Sequence, residues 1–211
     1  MPRPPSDAPL LSADLIYATA LRLIDKDGLE SLSMRRLAAE LDVTPRSLYH
    51  YVPTKDALLR EVYKVVLDEL ELPDPRAGNW PENLRQVARS FRALCHRHRN
   101  VAPYFLAGHE PVSRDTAIFE VLFGLLLQAD VPKDKVISIS RALVAFLTGY
   151  VLAELNTMFT PQHLRARFDL AKKTPEVYPV LLDLPTPPDS AEENFEIALG
   201  VLVRGLERSG T

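Results

Sequence analysis

A short run near position 45 carries side chains suited to contacting nucleic acid. Its members are Arg46, Ser47, Tyr49, His50 and Tyr51. Guanidinium, hydroxyl and imidazole groups donate hydrogen bonds to phosphate oxygens and to base edges. No acidic residue lies between Val43 and Lys55 to repel a phosphate. The run therefore favours a local contact with a polyanion.

A second group, around residue 97, holds side chains that bind metals. Its members are Cys95, His96, His98 and His109. On a helix His96 and His98 point about 200° apart, so that only Cys95 and His98 share a face. Structural zinc needs four ligands and catalytic zinc three. We therefore predict no metal, no cofactor and no catalytic residue. An all-α metal-dependent enzyme using Cys95, His98 and His109 is the alternative.

Aromatic side chains recur at helical spacing in the second half of the chain. Such residues either fill a core or line an apolar pocket that holds a few polar groups, and spacing alone leaves both open. The candidates for a pocket are Phe91, Cys95, His98, Tyr104, Phe105, Phe119, Phe123, Phe146 and Tyr150.

Helices must position all of these residues. The 18 prolines cluster at borders and leave long proline-free runs, and proline inside a helix costs about 3 kcal/mol. No segment alternates with period two between hairpin turns, so we predict an all-α fold. The start signals are Ser12, Ser33, Thr44-Pro45 and Thr54, and Gly28 ends the first helix.

Two short helices that meet near Asp42-Val43 match a helix-turn-helix. Thr44 caps the second helix and Pro45 opens it. Leu48 and Val52 lie four residues apart and face away from the polar run. We therefore expect one face of this helix to contact nucleic acid and the other to pack against the rest of the protein. Any two-helix unit with a short turn can mimic the motif, so the pattern alone leaves that alternative open.

Composition bounds the class of protein. The 211 residues carry a net charge of −3 and are 46% hydrophobic, which excludes a protein that coats nucleic acid or membrane with its whole surface. A lone Cys95 and the lack of a secretory signal pattern predict a cytoplasmic location. The longest charge-free stretch, residues 142–153, is shorter than a membrane span, so we predict no membrane contact.

Residues 29–59, LESLSMRRLAAELDVTPRSLYHYVPTKDALL, resemble the signature of the TetR family of bacterial transcriptional regulators. The segments NWPENLRQVARSFRALCHRHR and FEIALGVLVRGLE resemble the regulatory domain of its tetracycline-repressor branch. The resemblance implies an N-terminal three-helix DNA-binding domain with a helix-turn-helix, and a C-terminal helical domain for ligand binding and dimerisation. The expected division is a disordered tail at 1–11, a DNA-binding domain at 12–59, a connecting helix at 60–72 and a regulatory domain at 73–211.

The resemblance also implies roles for individual residues. Arg35 corresponds to a base-contacting arginine, and Thr44, Pro45 and Arg46 to the base-reading start of the recognition helix. The expected contacts to phosphates or nearby base edges come from Ser47, Tyr49, His50, Tyr51 and Lys55. Arg46 is a cation where the tetracycline repressor has none, so we expect a different operator with a guanine preference.

A homodimer is implied as well, with double-stranded operator DNA and a small effector as further partners. The expected dimer contacts are Leu143, Leu147, Leu199, Leu202 and Leu206, although these leucines equally suit the core of a monomer. Positions that bind tetracycline and magnesium in that branch hold Glu71, Val87 and approximately Phe105 here. We therefore predict a repressor that a different effector, hydrophobic or aromatic, releases from a palindromic operator.

Overall fold

The computed structural model describes residues 11–74, 79–106, 113–158, 160–185 and 190–208, with only the backbone of Phe105 and Pro161. Within these ranges every regular element is helical, which confirms the all-α prediction. The helices are α1 (Ala13–Asp27), α2 (Met34–Glu40), α3 (Pro45–Tyr49), α4 (Lys55–Asp68), α5 (Trp80–Arg97), α6 (Ala102–Leu106), α7 (Ser113–Gln128), α8 (Val136–Leu155), α9 (Pro161–Lys173), α10 (Pro179–Asp183) and α11 (Ala191–Glu207). His109 and the predicted tail up to residue 10 lie outside the described residues.

The chain divides into two compact units. The first contains the described residues up to Leu70 together with those between Arg97 and Asp115, and the second contains the rest. All of α4 therefore belongs to the first unit, where the sequence suggested a domain end at residue 59 and a separate connecting helix. The chain leaves the first unit after α4 and returns to it at the end of α5.

Side-chain caps start the helices of the first unit where the sequence predicted them. Each of the hydroxyls of Ser12, Ser33, Thr44 and Thr54 accepts a hydrogen bond from the backbone N–H three residues later, at 3.0–3.3 Å. Such a cap stabilises a helix by about 1 kcal/mol. At Gly28 the backbone turns with φ of 86°, a conformation that glycine adopts without strain.

The turn between α2 and α3 has a defined geometry. Val43 N–H donates to Ala38 O at 2.9 Å and Asp42 N–H donates to Ala39 O at 3.3 Å, the paired bonds of a Schellman motif. Asp42 occupies its left-handed position with φ of 53°. Glycine is the usual residue there, so Asp42 carries a conformational cost that fixes the angle at which α3 leaves α2.

The second unit is built around one hydrophobic core. Its buried side chains come from α5, α7, α8 and α11, with Leu125, Phe195 and Val203 fully enclosed. The side chains of α8 that reach the interior are Val136, Ser140, Leu143, Val151 and Ala153.

Helix α8 is longer than its charge-free stretch indicated. Residues 136–155 form a continuous helix that is long and apolar enough, by length and composition, to cross a membrane. The charge-free stretch was too short because Arg141 and Glu154 flank it, yet two charges do not disqualify a helix of this length. Only 28% of its most apolar window is buried, so a large apolar surface of α8 remains uncovered within the described part of the chain.

Candidate nucleic-acid interface

The short helix α3 presents one polar face and one buried face. Leu48 is fully buried and Val52 is 2% exposed, so both anchor the helix to the first unit. Arg46, Tyr49 and His50 are exposed on the other side. The structure thus separates the buried residues of α3 from its exposed polar residues, as the sequence predicted, and their contact with nucleic acid stays a prediction.

Three cations on this surface lack ion-pair partners in the described part of the chain: Arg35, Arg46 and Lys55. Arg36, the neighbour of Arg35, behaves differently because its guanidinium pairs with Asp27 and approaches Ser31 O at 3.4 Å. Arg36 therefore fixes α2 against the end of α1. Arg35 and Arg46 are both exposed, and their charges are available to an anionic ligand.

Most hydroxyl groups near α3 form hydrogen bonds within the protein, so fewer of them are free for DNA than the sequence suggested. Thr44 caps the helix, and its Oγ1 lies 3.0 Å from Ser47 Oγ. Tyr51 donates its hydroxyl to Leu11 O at 2.8 Å, which pins the start of the described chain beside α3. In this conformation Tyr51 has no second hydroxyl proton for a phosphate. Tyr49, half exposed, has no such hydrogen bond within the described residues.

The aromatic pairs of the proposed pocket do form, each along its own helix. The ring centroids of Phe119 and Phe123 are 5.7 Å apart, and those of Phe146 and Tyr150 are 5.6 Å apart. Tyr150 also meets the core residue Phe195 edge-on at 5.4 Å. These four residues, together with Phe91 and Cys95, belong to the second unit. The side chain of Phe105 lies outside the described part of the chain.

Two residues assigned to that pocket do not join an apolar lining. His98 and Tyr104 belong to the first unit. Tyr104 donates to Asp56 Oδ1 at 3.3 Å, and both nitrogens of the His98 ring lie on carboxylates. The assignment of His98 assumed that the helix continues, but α5 ends at Arg97 and the next residue turns towards α1.

The metal-ligand interpretation of the same region finds no geometric support. Among the described residues no group of three or more histidine, cysteine or acidic side chains is arranged to hold a metal ion. Burial raises the pKa of the Cys95 thiol to about 12, so this side chain stays protonated near neutral pH. His96 pairs with Glu154 at 2.9 Å in the second unit.

A charged network in the second unit escaped sequence reasoning. Arg92 binds both oxygens of Glu154, at 2.8 and 3.1 Å, and its guanidinium lies 4.9 Å from the centre of the Phe195 ring. Glu154 is 7% exposed. Since a carboxylate this buried needs a charged partner, Arg92 fixes α5 against α8 in one register. Nothing in residue spacing pairs position 92 with position 154.

The predicted dimer contacts need correction. Leu143, Leu199 and Leu206 are 6%, 2% and 7% exposed and fill the protomer's own core. Leu147 and Leu202 are half-buried beside it. The apolar residues left exposed lie on other faces of these helices. We call them the apolar stripes: Ile137 and Val144 on α8, and Ile197 and Val201 on α11.

Comparison with known proteins identifies the family to which the chain belongs. Residues 16–62 match the family described as bacterial regulatory proteins, tetR family, and residues 72–209 match the tetracyclin repressor-like C-terminal domain. An HTH-type transcriptional regulator of Saccharopolyspora erythraea is 31% identical over 148 residues, 69% of this chain and 62% of that protein. This chain thus spans about six tenths of that relative's length.

Two further comparisons extend over almost the whole chain. The tetracycline repressor protein class G of Vibrio anguillarum is 28% identical over 201 residues, 94% of each chain. The TetR family protein ActR of Streptomyces coelicolor, solved in complex with actinorhodin, is 29% identical with a TM-score of 0.80 and covers 95% of this chain and 98% of its own. These matches leave the metal-enzyme alternative without support, and they show that the chain belongs to the TetR family.

Proposed function

We propose that the chain is a homodimeric repressor that binds a palindromic operator and leaves it when a small hydrophobic or aromatic effector binds. The observation that carries the DNA-binding part is the exposed, unpaired pair Arg35 and Arg46, braced from behind by the buried Leu48. A cation without an internal partner gives up no ion pair when it meets DNA. Arg46 has the reach and the planar fork to bind guanine O6 and N7.

Dimerisation follows from what a single recognition helix can do. A helix as short as α3 reads only a half-site, and two-fold pairing places two copies about 34 to 36 Å apart on successive major grooves. The apolar stripes support this proposal. Ile137 is 62% exposed, and Ile197 and Val201 are 54% and 57% exposed. Covering such residues with a second copy removes apolar area from water, and a Cβ at Gly149 of α8 would meet no atom within 4 Å, so there is room for close approach.

The effector part rests on the second unit and on its relatives. ActR was solved with actinorhodin bound, and a related ligand-binding role for this chain is a proposal. Phe91, Cys95, Phe119, Phe123, Phe146 and Tyr150 remain the candidate lining, with His98 and Tyr104 removed from it. The protonated Cys95 thiol adds no charge to such a lining. An uncharged lining with few polar groups suits an apolar or aromatic ligand.

Cytoplasmic location belongs to the same proposal, because a regulator of transcription must reach the chromosome. The test is selection of bound fragments from random double-stranded DNA with the full chain, followed by release with candidate lipophilic compounds. We expect a palindromic consensus and release by at least one compound. Enrichment of no sequence over several rounds would contradict the operator. A consensus without two-fold symmetry would contradict the dimer.

A further inference from the structure

The most unusual polar cluster in the first unit surrounds His98. This side chain is 7% exposed. Its Nδ1 lies 2.8 Å from Asp25 Oδ2, and its Nε2 lies 3.1 Å from Glu69 Oε2. Asp25 belongs to the last turn of α1, and Glu69 directly follows α4. One imidazole ring therefore joins the C-terminal ends of two helices. We call this arrangement the His98 clasp.

The partners of the ring fix its protonation state. An ionised carboxylate only accepts hydrogen bonds, so each ring nitrogen must carry a hydrogen if both contacts are hydrogen bonds. Burial favours the neutral form of Glu69, but hydrogen bonds from His98 and Arg97 outweigh it and hold the pKa of Glu69 below its usual range. Glu69 is thus an anion, and Arg97 Nη1 lies 2.7 Å from the same Oε2.

Asp25 depends on His98 more strongly. Its second oxygen, Oδ1, is buried and has no hydrogen-bond partner among the described residues. The side chain of Asn100 donates to the backbone oxygens of Ile24 and Asp25 at 3.2 and 2.9 Å, which holds the last turn of α1 but leaves the carboxylate to His98. The Asp25 side chain is 30% exposed as a whole, but its Oδ1 is buried, so the loss of its hydrogen bond to His98 would remove its one donor among the described residues.

Helix packing connects the clasp to α3 through α1 and α2. Helix α1 packs against α4 and α2, and α2 packs against α3. Other charged groups at the end of α4 are Arg114 of α7, whose guanidinium donates to Leu67 O and Leu70 O, and Asp68, 3.8 Å from Arg114. Arg114 thus caps the end of α4 without neutralising Asp25. At the end of α1, Lys26 lies in the last turn and Asp27 pairs with Arg36. Only His98 bridges α1 and α4 by side-chain hydrogen bonds at this end, within the described residues.

We propose that His98 is a positioning residue held as an imidazolium, and that its charge keeps α1 and α4 in the arrangement that binds operator DNA. This proposal rests on the proposed function. Removing one proton turns one of the two ring contacts into a contact between two hydrogen-bond acceptors, which breaks the bridge between α1 and α4. The stabilisation is present at low pH and is lost as pH rises through the titration of the ring. Operator binding is therefore proton-linked and weakens towards alkaline pH.

The first experiment needs no DNA. Nitrogen-15 NMR of the five histidine rings between pH 6 and 9 reports the hydrogen on each nitrogen, and the signals of His98 are those lost in His98→Gln. We expect both nitrogens of His98 to carry a hydrogen at neutral pH. In Asp25→Asn, which keeps the shape of the side chain, we expect His98 to lose its proton at lower pH. A ring with a single hydrogen at neutral pH would overturn the proposal.

The second experiment measures the affinity for the selected operator fragment at pH 6.5 and pH 8.5 by fluorescence anisotropy. We expect the Kd of the wild type and of the matched control His163→Gln to rise by about threefold or more between pH 6.5 and pH 8.5. One linked proton changes affinity by at most about tenfold per pH unit. His98→Gln should bind more weakly at pH 6.5 and show a smaller dependence on pH. His50, beside α3, is present in all three proteins, so the difference between them isolates His98.

The outcomes separate the two proposals. An equal pH dependence in His98→Gln and the wild type would overturn the clasp. If His98→Gln fails to fold, Asp25→Asn and Glu69→Gln provide the same comparison, and unchanged pH dependence in both would again overturn it. A wild-type protein that binds no selected DNA would contradict the proposed function instead, whatever the state of the His98 ring.

Discussion

Replacing Arg46 with alanine separates base reading from general attraction to DNA. Arg46 is exposed and has no ion-pair partner in the described ranges, so its removal should leave the free energy of unfolding unchanged to within about 0.5 kcal/mol. A bidentate contact to guanine contributes about 1 to 3 kcal/mol of discrimination. The dimer carries two copies at separate half-sites, whose effects add. The loss on a palindromic operator is then about 2 to 6 kcal/mol, or about 30-fold to 20,000-fold in Kd.

Lys55→Ala is the matched control, because Lys55 opens α4 beside the same surface and also lacks an ion-pair partner in the described part of the chain. A phosphate contact contributes about 0.9 to the slope of log K against log salt, so losing two copies should flatten that slope by about 1.8. The assay is anisotropy on the operator and on a random duplex of equal length, over a salt series. We expect Arg46→Ala to weaken mainly the operator, and Lys55→Ala to weaken both duplexes alike. Equal losses on the two duplexes for both variants would refute the division between base reading and phosphate contact.

Three further predictions concern the dimer, the turn and the thiol. Ile197→Glu puts a charge into the α11 stripe and should reduce the mass measured by light scattering from twice 23.7 kDa to 23.7 kDa. The control Val180→Glu, at a 74% exposed position on α10, should leave the mass unchanged. A dimeric Ile197→Glu would contradict dimerisation through the stripe. Asp42→Gly removes the cost of a left-handed φ and should stabilise the protein by about 1 kcal/mol in chemical denaturation; a lower midpoint would contradict the turn geometry. Cys95 should resist a thiol reagent at pH 8 in the folded protein and react after denaturation, because burial keeps its pKa near 12; rapid labelling of the native state would show that the thiol is accessible.

The parts of the fold that could be predicted depend on contacts between residues that are close together in the sequence. Ser12, Ser33, Thr44 and Thr54 cap helices because a hydroxyl needs only the N–H three residues later. The packing of Leu48 is local in the same sense, since the polar run fixes which face of α3 is free. The helix-turn-helix could be predicted as well, because the residues that resemble the family signature form one continuous segment, 29–59.

The parts that could not be predicted depend on long-range contacts. Helices α8 and α11 are apolar on nearly every side, so periodicity could not tell Leu199, inside the protomer, from Ile197, which lies exposed. His98 shares a face with Cys95 only if the helix continues, and α5 ends one residue before it. Its partners Asp25 and Glu69 are 73 and 29 positions away, and no sequence pattern links such distances.

The most direct measurement is protection of guanine N7 from methylation on the selected operator, with the wild type and with Arg46→Ala. We predict one protected guanine in each of two half-sites related by a two-fold axis, with centres about 10 base pairs apart or a multiple of that spacing, and loss of that protection alone in the variant. Protection at a single unrepeated site, or a pattern that Arg46→Ala leaves intact, would contradict a dimer in which each copy contacts guanine through Arg46.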